Sequence, residues 1–222
     1  MARYNGATMN QSLREKIALV VFLVLVVLTL LGGVVYLNVG HNWNVTASSI
    51  DDAAGSLEGY TAILYDGVSI SKTPLDDSTT TTPVTLSAAA LSYENKKATV
   101  FELNSVTPEM YQSGSILKRG DKKIGVFCVT PQTTPLTIQS QISYFKHYHV
   151  DYIVCFSTNT TYMTAHLDGI DVLISLDSTD YSMGKTVGKT YLVSSPCVGK
   201  IGSVLISPHN VASSKDISSL QS

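Results

Sequence analysis

The chain has 222 residues, with 15 Lys and Arg against 17 Asp and Glu, and a net charge of −2. This near balance argues against binding to nucleic acid or another polyanion. Charged residues make up 14% of the chain, well below the roughly 25% of soluble domains, and the apolar surplus lies in residues 17–39, which argues against a fully soluble cytoplasmic protein.

Residues 17–39 carry no ionisable side chain. At a rise of about 1.5 Å per residue, a helix of this length spans the roughly 30 Å hydrocarbon layer of a lipid bilayer. Basic residues precede the segment, and the first charged residue after it is Asp51. The positive-inside rule therefore predicts a signal anchor of a single-pass plasma-membrane protein, with residues 1–16 cytoplasmic and the rest extracytoplasmic. The alternative, a cleavable signal peptide, normally has a shorter apolar core.

The remaining chain is long enough for one domain. Residues 40–58 are polar, contain Gly and Ser, and lack periodicity, which favours a stalk. Residues 59–207 are expected to form the extracytoplasmic domain. Residues 208–222 are Ser-rich and predict a flexible tail.

The first half of the domain alternates apolar runs with turn signals. It predicts a strand, a short Ala-rich helix, a second strand and a hairpin with a charged tip, at residues 60–65, 83–93, 98–103 and 115–129. Cys128 and Cys155 each lie inside an apolar run, where a free cysteine is usually a small buried hydrophobe.

The second half has the rhythm of helix, buried strand, helix, buried strand. Thr134 as N-cap and Pro135 at the first helical position predict a helix that ends near His149. Apolar strands follow at residues 152–156 and 172–176, with a short helix at 160–167 between them, and further strands are expected at 190–193 and 201–206. This order predicts an α/β layered sandwich with a mixed sheet covered by helices.

Four segments in this order, KIGVFCVTP, HVDYIVCFST, GIDVLISLDST and TYLVSSPCVGKIGSVLIS, resemble the 5′-nucleotidase-type metallophosphoesterases of the calcineurin-like superfamily. The resemblance covers residues 120–207, with a weaker match at YTAILYDG. It implies a metallophosphoesterase-like fold in which acids and histidines after several strands hold two divalent metals. The metals activate a water against a phosphate ester.

The sequence departs from this family where its metal ligands are expected. The substituted positions are Val68, Thr158, Asp177 and Thr179. Because Thr and Val are poor substitutes for imidazole, a two-metal site loses most of its ligands. We therefore expect a degenerate family member without catalytic residues or cofactor. The alternative is one divalent cation such as Mg²⁺ held by the residual acids Asp66, Asp177 and Asp180.

The sequence favours a membrane-anchored, extracytoplasmic pseudo-phosphoesterase that acts as a binding or scaffold module of the cell envelope. A protein partner in the membrane or envelope is expected, and the hairpin tip offers a basic patch for it: Lys118, Arg119, Lys122 and Lys123. Two alternatives stay open. One is a metal-dependent phosphoesterase or nucleotidase with a rebuilt site, and the other is a generic α/β interaction domain whose family likeness is accidental.

Overall fold

The computed structural model describes residues 15–27, 29, 55–69, 83–177 and 184–218. The chain divides into two compact units, Met1–Asn44 and Val45–Ser222. In the first unit, residues 15–27 and 29 are helical and exposed, whereas residues 28 and 30–39 of the predicted anchor lie outside the described residues. Within the described part of the chain, no helix is both long and apolar enough to cross a membrane.

The second unit contains a four-stranded sheet in the order β10-β9-β1-β2. β1 pairs in parallel with β2, whereas β9 runs antiparallel to both of its neighbours, β1 and β10. The strands are β1 (Thr61–Asp66), β2 (Thr99–Leu103), β9 (Ile201–Ile206) and β10 (Ala212–Ile217).

The other sheet has six strands in the order β3-β4-β5-β6-β8-β7. The four inner strands are parallel, and β3 and β7 add antiparallel edges. The strands are β3 (Ser115–Arg119), β4 (Lys122–Val129), β5 (Tyr152–Ser157), β6 (Val172–Ser175), β7 (Lys185–Val187) and β8 (Thr190–Ser194). The helices are α1 (Leu86–Asn95), a 3₁₀ turn (Pro108–Tyr111), α2 (Pro135–His147) and α3 (Thr160–Met163).

Helix α2 begins as the sequence predicts. The Thr134 side chain accepts a hydrogen bond from the backbone N–H of Thr137 at 3.3 Å, and Pro135, which lacks an N–H, occupies the first turn. Ile138, Ile142 and Phe145 are buried along one face of the helix. Their spacing therefore packs α2 against the six-stranded sheet, where they share a core with Phe127 and other strand residues.

The unit is a layered sandwich of helix, sheet, sheet and helix. The largest core lies between the sheets and includes Ile63, Leu103 and Phe156. Phe156 stacks on Tyr111 with ring centroids 5.8 Å apart and meets Tyr65 edge-on at 6.5 Å. Separate cores lie under α1 on the outer face of the four-stranded sheet and under α2 and α3 on the outer face of the other. Mixed sheets with helices on their outer faces agree with the expected α/β sandwich.

The predicted boundaries of the domain are wrong at both ends. Leu57, assigned to the stalk, is fully buried in the core under α1, and its N–H bonds the carbonyl of Lys96. The Ser-rich tail contains β10, because Ser213 and Ser214 are small enough to be buried against the sheet and Ile217 joins a core. β7 is a strand that the sequence analysis does not predict. Residues 40–54 and 219–222 lie outside the described residues.

Candidate functional site

The carboxyl ends of β5, β6 and β8 meet at one edge of the six-stranded sheet, which we name the carboxyl-end edge. Ligands of open α/β sheets bind at such an edge. The last residues of these strands are Ser157, Ser175 and Ser194, which lie side by side in register and are buried. A row of neutral hydroxyl groups therefore occupies the edge where the family resemblance implies metal ligands.

Asp177 follows β6 at this edge and is held by hydrogen bonds to both carboxylate oxygens. The Thr160 N–H donates to Oδ2 at 3.1 Å, and the Ser175 hydroxyl donates to Oδ1 at 3.0 Å. The Thr160 hydroxyl also bonds Oδ1 and lies 2.7 Å from the Ser175 hydroxyl. Asp177 thereby ties the start of α3 to the end of β6, although its own side chain is exposed.

Asp66 ends β1 on the other sheet and reaches the same edge through Ser195. The Ser195 hydroxyl accepts the N–H of Val68 at 3.0 Å and lies 3.4 Å from the carbonyl oxygen of Asp66. The Ser195 N–H donates to the Ser175 carbonyl at 2.7 Å, so one serine joins the ends of β1, β6 and β8. The Asp66 carboxyl is half-buried, and its burial raises its pKa.

The structure places the other substituted positions in backbone contacts. Thr158 donates its N–H to the Val129 carbonyl at 3.1 Å, and its hydroxyl lies 3.4 Å from the same oxygen. Val68 is half-buried with its N–H on Ser195. Thr179 and Asp180 lie outside the described residues. Of the site residues predicted from the sequence, four therefore lie at this edge: Asp66, Val68, Thr158 and Asp177. Their hydrogen-bond partners are serine or threonine side chains and backbone groups.

The described residues contain no group of three or more His, Cys, Asp and Glu side chains that could hold a metal ion. Zinc sites in most proteins have at least three protein ligands, whereas Mg²⁺ is often held by one or two carboxylates together with waters and substrate phosphates. The described parts of this edge offer Asp66 and Asp177 as carboxylate ligands, with hydroxyl groups around them. They do not fit a two-metal centre, and what they can do is donate and accept hydrogen bonds.

The buried cysteines do not supply a nucleophile. Burial raises the pKa of Cys128 to about 11, with a smaller contribution from the negative charge of Glu109. Burial also raises the pKa of Cys155. Because the thiolate is the reactive form, both side chains are neutral hydrophobes at physiological pH, as the sequence predicts.

The basic patch lies at the opposite edge, where β4, β5, β6 and β8 begin, which we name the amino-end edge. Lys122 forms a salt bridge with Asp151 at 3.4 Å, and the Lys123 ammonium lies 3.5 Å from the Tyr148 carbonyl. Lys118 and Arg119 are exposed on the neighbouring strand, in register with Lys123 and Lys122. The predicted patch is therefore contiguous and remote from the carboxyl-end edge.

Thr160, Ser194 and Ser195 are the residues of the carboxyl-end edge that the sequence analysis does not single out. A signal for them exists, because YIVCFS, VLIS and YLVS all end an apolar strand in serine. Repetition of one small polar residue at the ends of successive buried strands indicates that these ends share an environment. The partnership of Thr160 with Asp177 depends on the loop that follows β6, which no local pattern specifies.

No protein-family model matches the sequence, and no curated protein sequence matches it. Among solved structures, the chain is similar to the sulfate thiohydrolase SoxB of Thermus thermophilus in complex with glycerol, with a TM-score of 0.42 and 17% identity, over 47% of this chain and 24% of that one. It is also similar to a Staphylococcus aureus protein assigned as a 5′-nucleotidase, in complex with alpha-ketoglutarate, with a TM-score of 0.47 and 11% identity, over 73% of this chain and 55% of that one. The chain thus spans about a quarter and about half of these structures. At these TM-scores and identities, neither similarity assigns a family or an activity.

Proposed function

We propose that residues 55–218 form a binding domain without phosphoesterase activity, on a sandwich whose sequence resembles that of metallophosphoesterases. The observation that carries the proposal is the hydrogen bonding of Asp177. Donors from Thr160 and Ser175 occupy both of its carboxylate oxygens, so the acid already serves a structural contact. In the described part of this edge, hydroxyl groups make the hydrogen bonds that stabilise the strand ends, and a fold can persist when its chemistry is lost.

We further propose the setting in which the domain binds. An anchor in residues 17–39 would hold it outside the cytoplasm, and the basic patch of Lys118, Arg119, Lys122 and Lys123 would face a protein partner of the envelope. Lys118 and Arg119 are the exposed members, so charge reversal at these positions is expected to weaken the contact most. Chemical cross-linking in membranes, with the wild type and with Lys118→Glu, tests this setting.

The second candidate function is a phosphoesterase with one hard cation between Asp66 and Asp177. It is favoured by the position of Asp66, whose half-buried carboxyl lies at the same edge and has its pKa raised by burial, an effect that a bound cation would reverse. Asp180 would have to complete the site. This candidate predicts metal-dependent hydrolysis of phosphate esters, whereas the first proposal predicts none.

The experiment measures hydrolysis of p-nitrophenyl phosphate and bis(p-nitrophenyl) phosphate by the full chain in detergent, with Mn²⁺, Zn²⁺ or Mg²⁺. The proposal predicts rates equal to those of each metal without protein. Metal-dependent hydrolysis that Asp177→Ala abolishes, while Asp168→Ala on an exposed loop retains it, would overturn the proposal and establish the cation site. Melting curves of both variants confirm that they are folded.

A further inference from the structure

A cavity of about 170 Å³ opens at the amino-end edge, between the two sheets. Its floor is formed by buried residues of the core, Tyr152, Val172, Tyr191 and Ile206. Its rim carries exposed polar residues, among them Asp171 and Lys189. The volume is comparable with that of the roughly 150 Å³ cavity that accepts a benzene ring. An apolar floor with a few polar groups at the rim is the usual design of a small-molecule site.

Hydrogen bonds fix the aromatic walls of this cavity. The Tyr152 hydroxyl donates to Asn210 Oδ1 at 3.0 Å, and the Tyr191 hydroxyl lies 2.8 Å from the Ser214 hydroxyl. Burial raises the pKa of both tyrosines, so they are neutral at physiological pH. Asn210 lines the cavity as well. Because these hydrogen bonds already fix the two rings, the walls do not have to reorder when a ligand binds, which lowers the entropic cost of binding.

The rim carries opposite charges that form no salt bridge in the described part of the chain, although the positive charge of Lys146 lies near enough to Asp171 to lower its pKa slightly. Asp171 accepts the Ile153 N–H through Oδ2 at 2.7 Å, and no described side chain donates to its carboxylate. No described carboxylate lies within salt-bridge distance of Lys189. Asp151, by contrast, is engaged by Lys122 and by the Lys123 N–H. Asp171 and Lys189 are therefore the charges that a ligand can use.

We propose that this cavity binds a small zwitterion with an apolar side chain, of the class of the free aliphatic amino acids. Its ammonium group pairs with Asp171, and its carboxylate pairs with Lys189. Hydrogen bonds between oppositely charged groups are stronger than those between neutral groups. Its side chain packs over the cavity floor beside Ala212, which is half-buried and lines the cavity, and the neighbouring tyrosine rings add favourable contact with the cation. Burial raises the pKa of Asp171, and a bound ammonium group offsets that cost. This site lies at the opposite edge from Asp177 and does not depend on the proposed function.

The test compares three probes with the full chain in detergent: L-leucine, N-acetyl-leucine, which lacks the ammonium group, and leucinamide, which lacks the carboxylate. Calorimetry and melting curves measure binding. L-Leucine is expected to raise Tm in proportion to its concentration at millimolar levels, as selective binding to the native state requires. Each analogue is expected to bind about tenfold more weakly, since each loses one ionic contact. No heat and no shift with L-leucine would overturn the proposal, as would equal binding of all three probes.

Variants then assign the contacts. Asp171→Asn keeps an oxygen for the Ile153 N–H and is expected to weaken binding of L-leucine and leucinamide. Lys189→Met is expected to weaken L-leucine but to leave leucinamide unchanged. Asp168→Asn and Lys185→Met, which do not line the cavity, serve as matched controls. If Asp171→Asn fails to fold, the Lys189→Met variant still tests the proposal. Wild-type affinity for L-leucine in Lys189→Met would contradict it.

Discussion

The strands β5, β6 and β8 end in serines and are preceded by charged residues, so the two edges of the same sheet differ in chemistry. At the carboxyl-end edge, the hydroxyl groups of Ser157, Ser175 and Ser194 are buried. At the amino-end edge, Asp151 and Asp171 are exposed immediately before β5 and β6. One edge is stabilised by buried hydroxyl groups, which also hold the Asp177 carboxylate, and the other by charges in contact with water.

The acids of the amino-end edge share one structural role. Asp151 donates its N–H to the Lys123 carbonyl and accepts the Lys123 N–H at 2.8 Å. Asp171 makes the same pair of contacts with Ile153, at 2.9 and 2.7 Å. Each acid therefore extends the parallel ladder beyond the start of its strand. A carboxylate before a buried strand can thus be structural, and Asp171 combines that role with a place on the cavity rim.

The largest effect is expected from Thr160→Val at the carboxyl-end edge. The substitution removes the Thr160 hydroxyl from Asp177 and from the buried Ser175 hydroxyl, and a hydrogen bond to a charged group contributes about 1.5–3 kcal/mol. Urea denaturation should show this loss in the free energy of unfolding, and Thr161→Val, an exposed neighbour on the same helix, should show almost none. Equal effects of the two substitutions would mean that the hydroxyl contacts do not stabilise this edge.

The next largest effect on the free energy of unfolding is expected from Ser195→Ala. It removes the acceptor of the Val68 N–H and one link between the sheets, at a cost of about 0.5–1.5 kcal/mol for a single hydrogen bond. Ser143→Ala, on the exposed face of α2, is the control. The difference between the two variants should be the same at low and high salt, because the groups involved are neutral, and a strong salt dependence would contradict the account.

A smaller and salt-dependent effect is expected at the amino-end edge. A double-mutant cycle of Lys122→Met and Asp151→Asn should give a coupling of about 0.2–1 kcal/mol at low salt, since the side chains are 30% and 32% exposed. Near 1 M salt the coupling should disappear because the Debye length falls to about 3 Å. A coupling that salt leaves unchanged would show that the two edges do not differ as described. Lys118→Met in place of Lys122→Met is the control.

The smallest effect concerns pH. Although Asp171 is exposed at the surface, the surrounding protein partly desolvates its carboxyl and raises its pKa above the usual value of 3.8. Between the usual and the raised pKa, the native state therefore binds more protons than the unfolded state. The stabilisation that this group contributes to the native state is therefore fully present below its usual pKa of 3.8. It is lost as the pH rises through the raised pKa. The stability of the wild type relative to Asp171→Asn should increase as the pH is lowered through this interval. A relative decrease would contradict the sign.

Much of the fold is predictable from periodicity. The strands at YIVCF and VLIS and the helix after Thr134 are found within a few residues of their expected ends, because burial on both faces gives long apolar runs and Pro135 marks a helix start. The edge strands β7 and β10 are polar, and β7 has only three residues. Their position is determined by pairing with β8 and β9, a tertiary contact that local sequence does not encode.

The candidate site is less predictable than the fold. Sequence comparison identifies which residues stand where the family resemblance implies metal ligands, such as Thr158 and Asp177, because strand ends mark the place. It does not show what those residues contact instead. The Thr160 contacts with Ser175 and Asp177 join positions 15 and 17 residues apart. The hydrogen bond between Val68 and Ser195, which links the ends of β1 and β8, joins positions 127 residues apart. Such contacts follow from the topology alone.

The most direct test of the account is the metal content of the full chain. The protein is incubated with Mn²⁺, Zn²⁺ and Mg²⁺, separated from free ions and analysed by mass spectrometry. Because the described part of the carboxyl-end edge is closed by Ser and Thr hydroxyl groups around Asp177, the account predicts less than one tightly held metal per chain and no change in Tm. Two metals per chain, lost in Asp177→Ala, would contradict it.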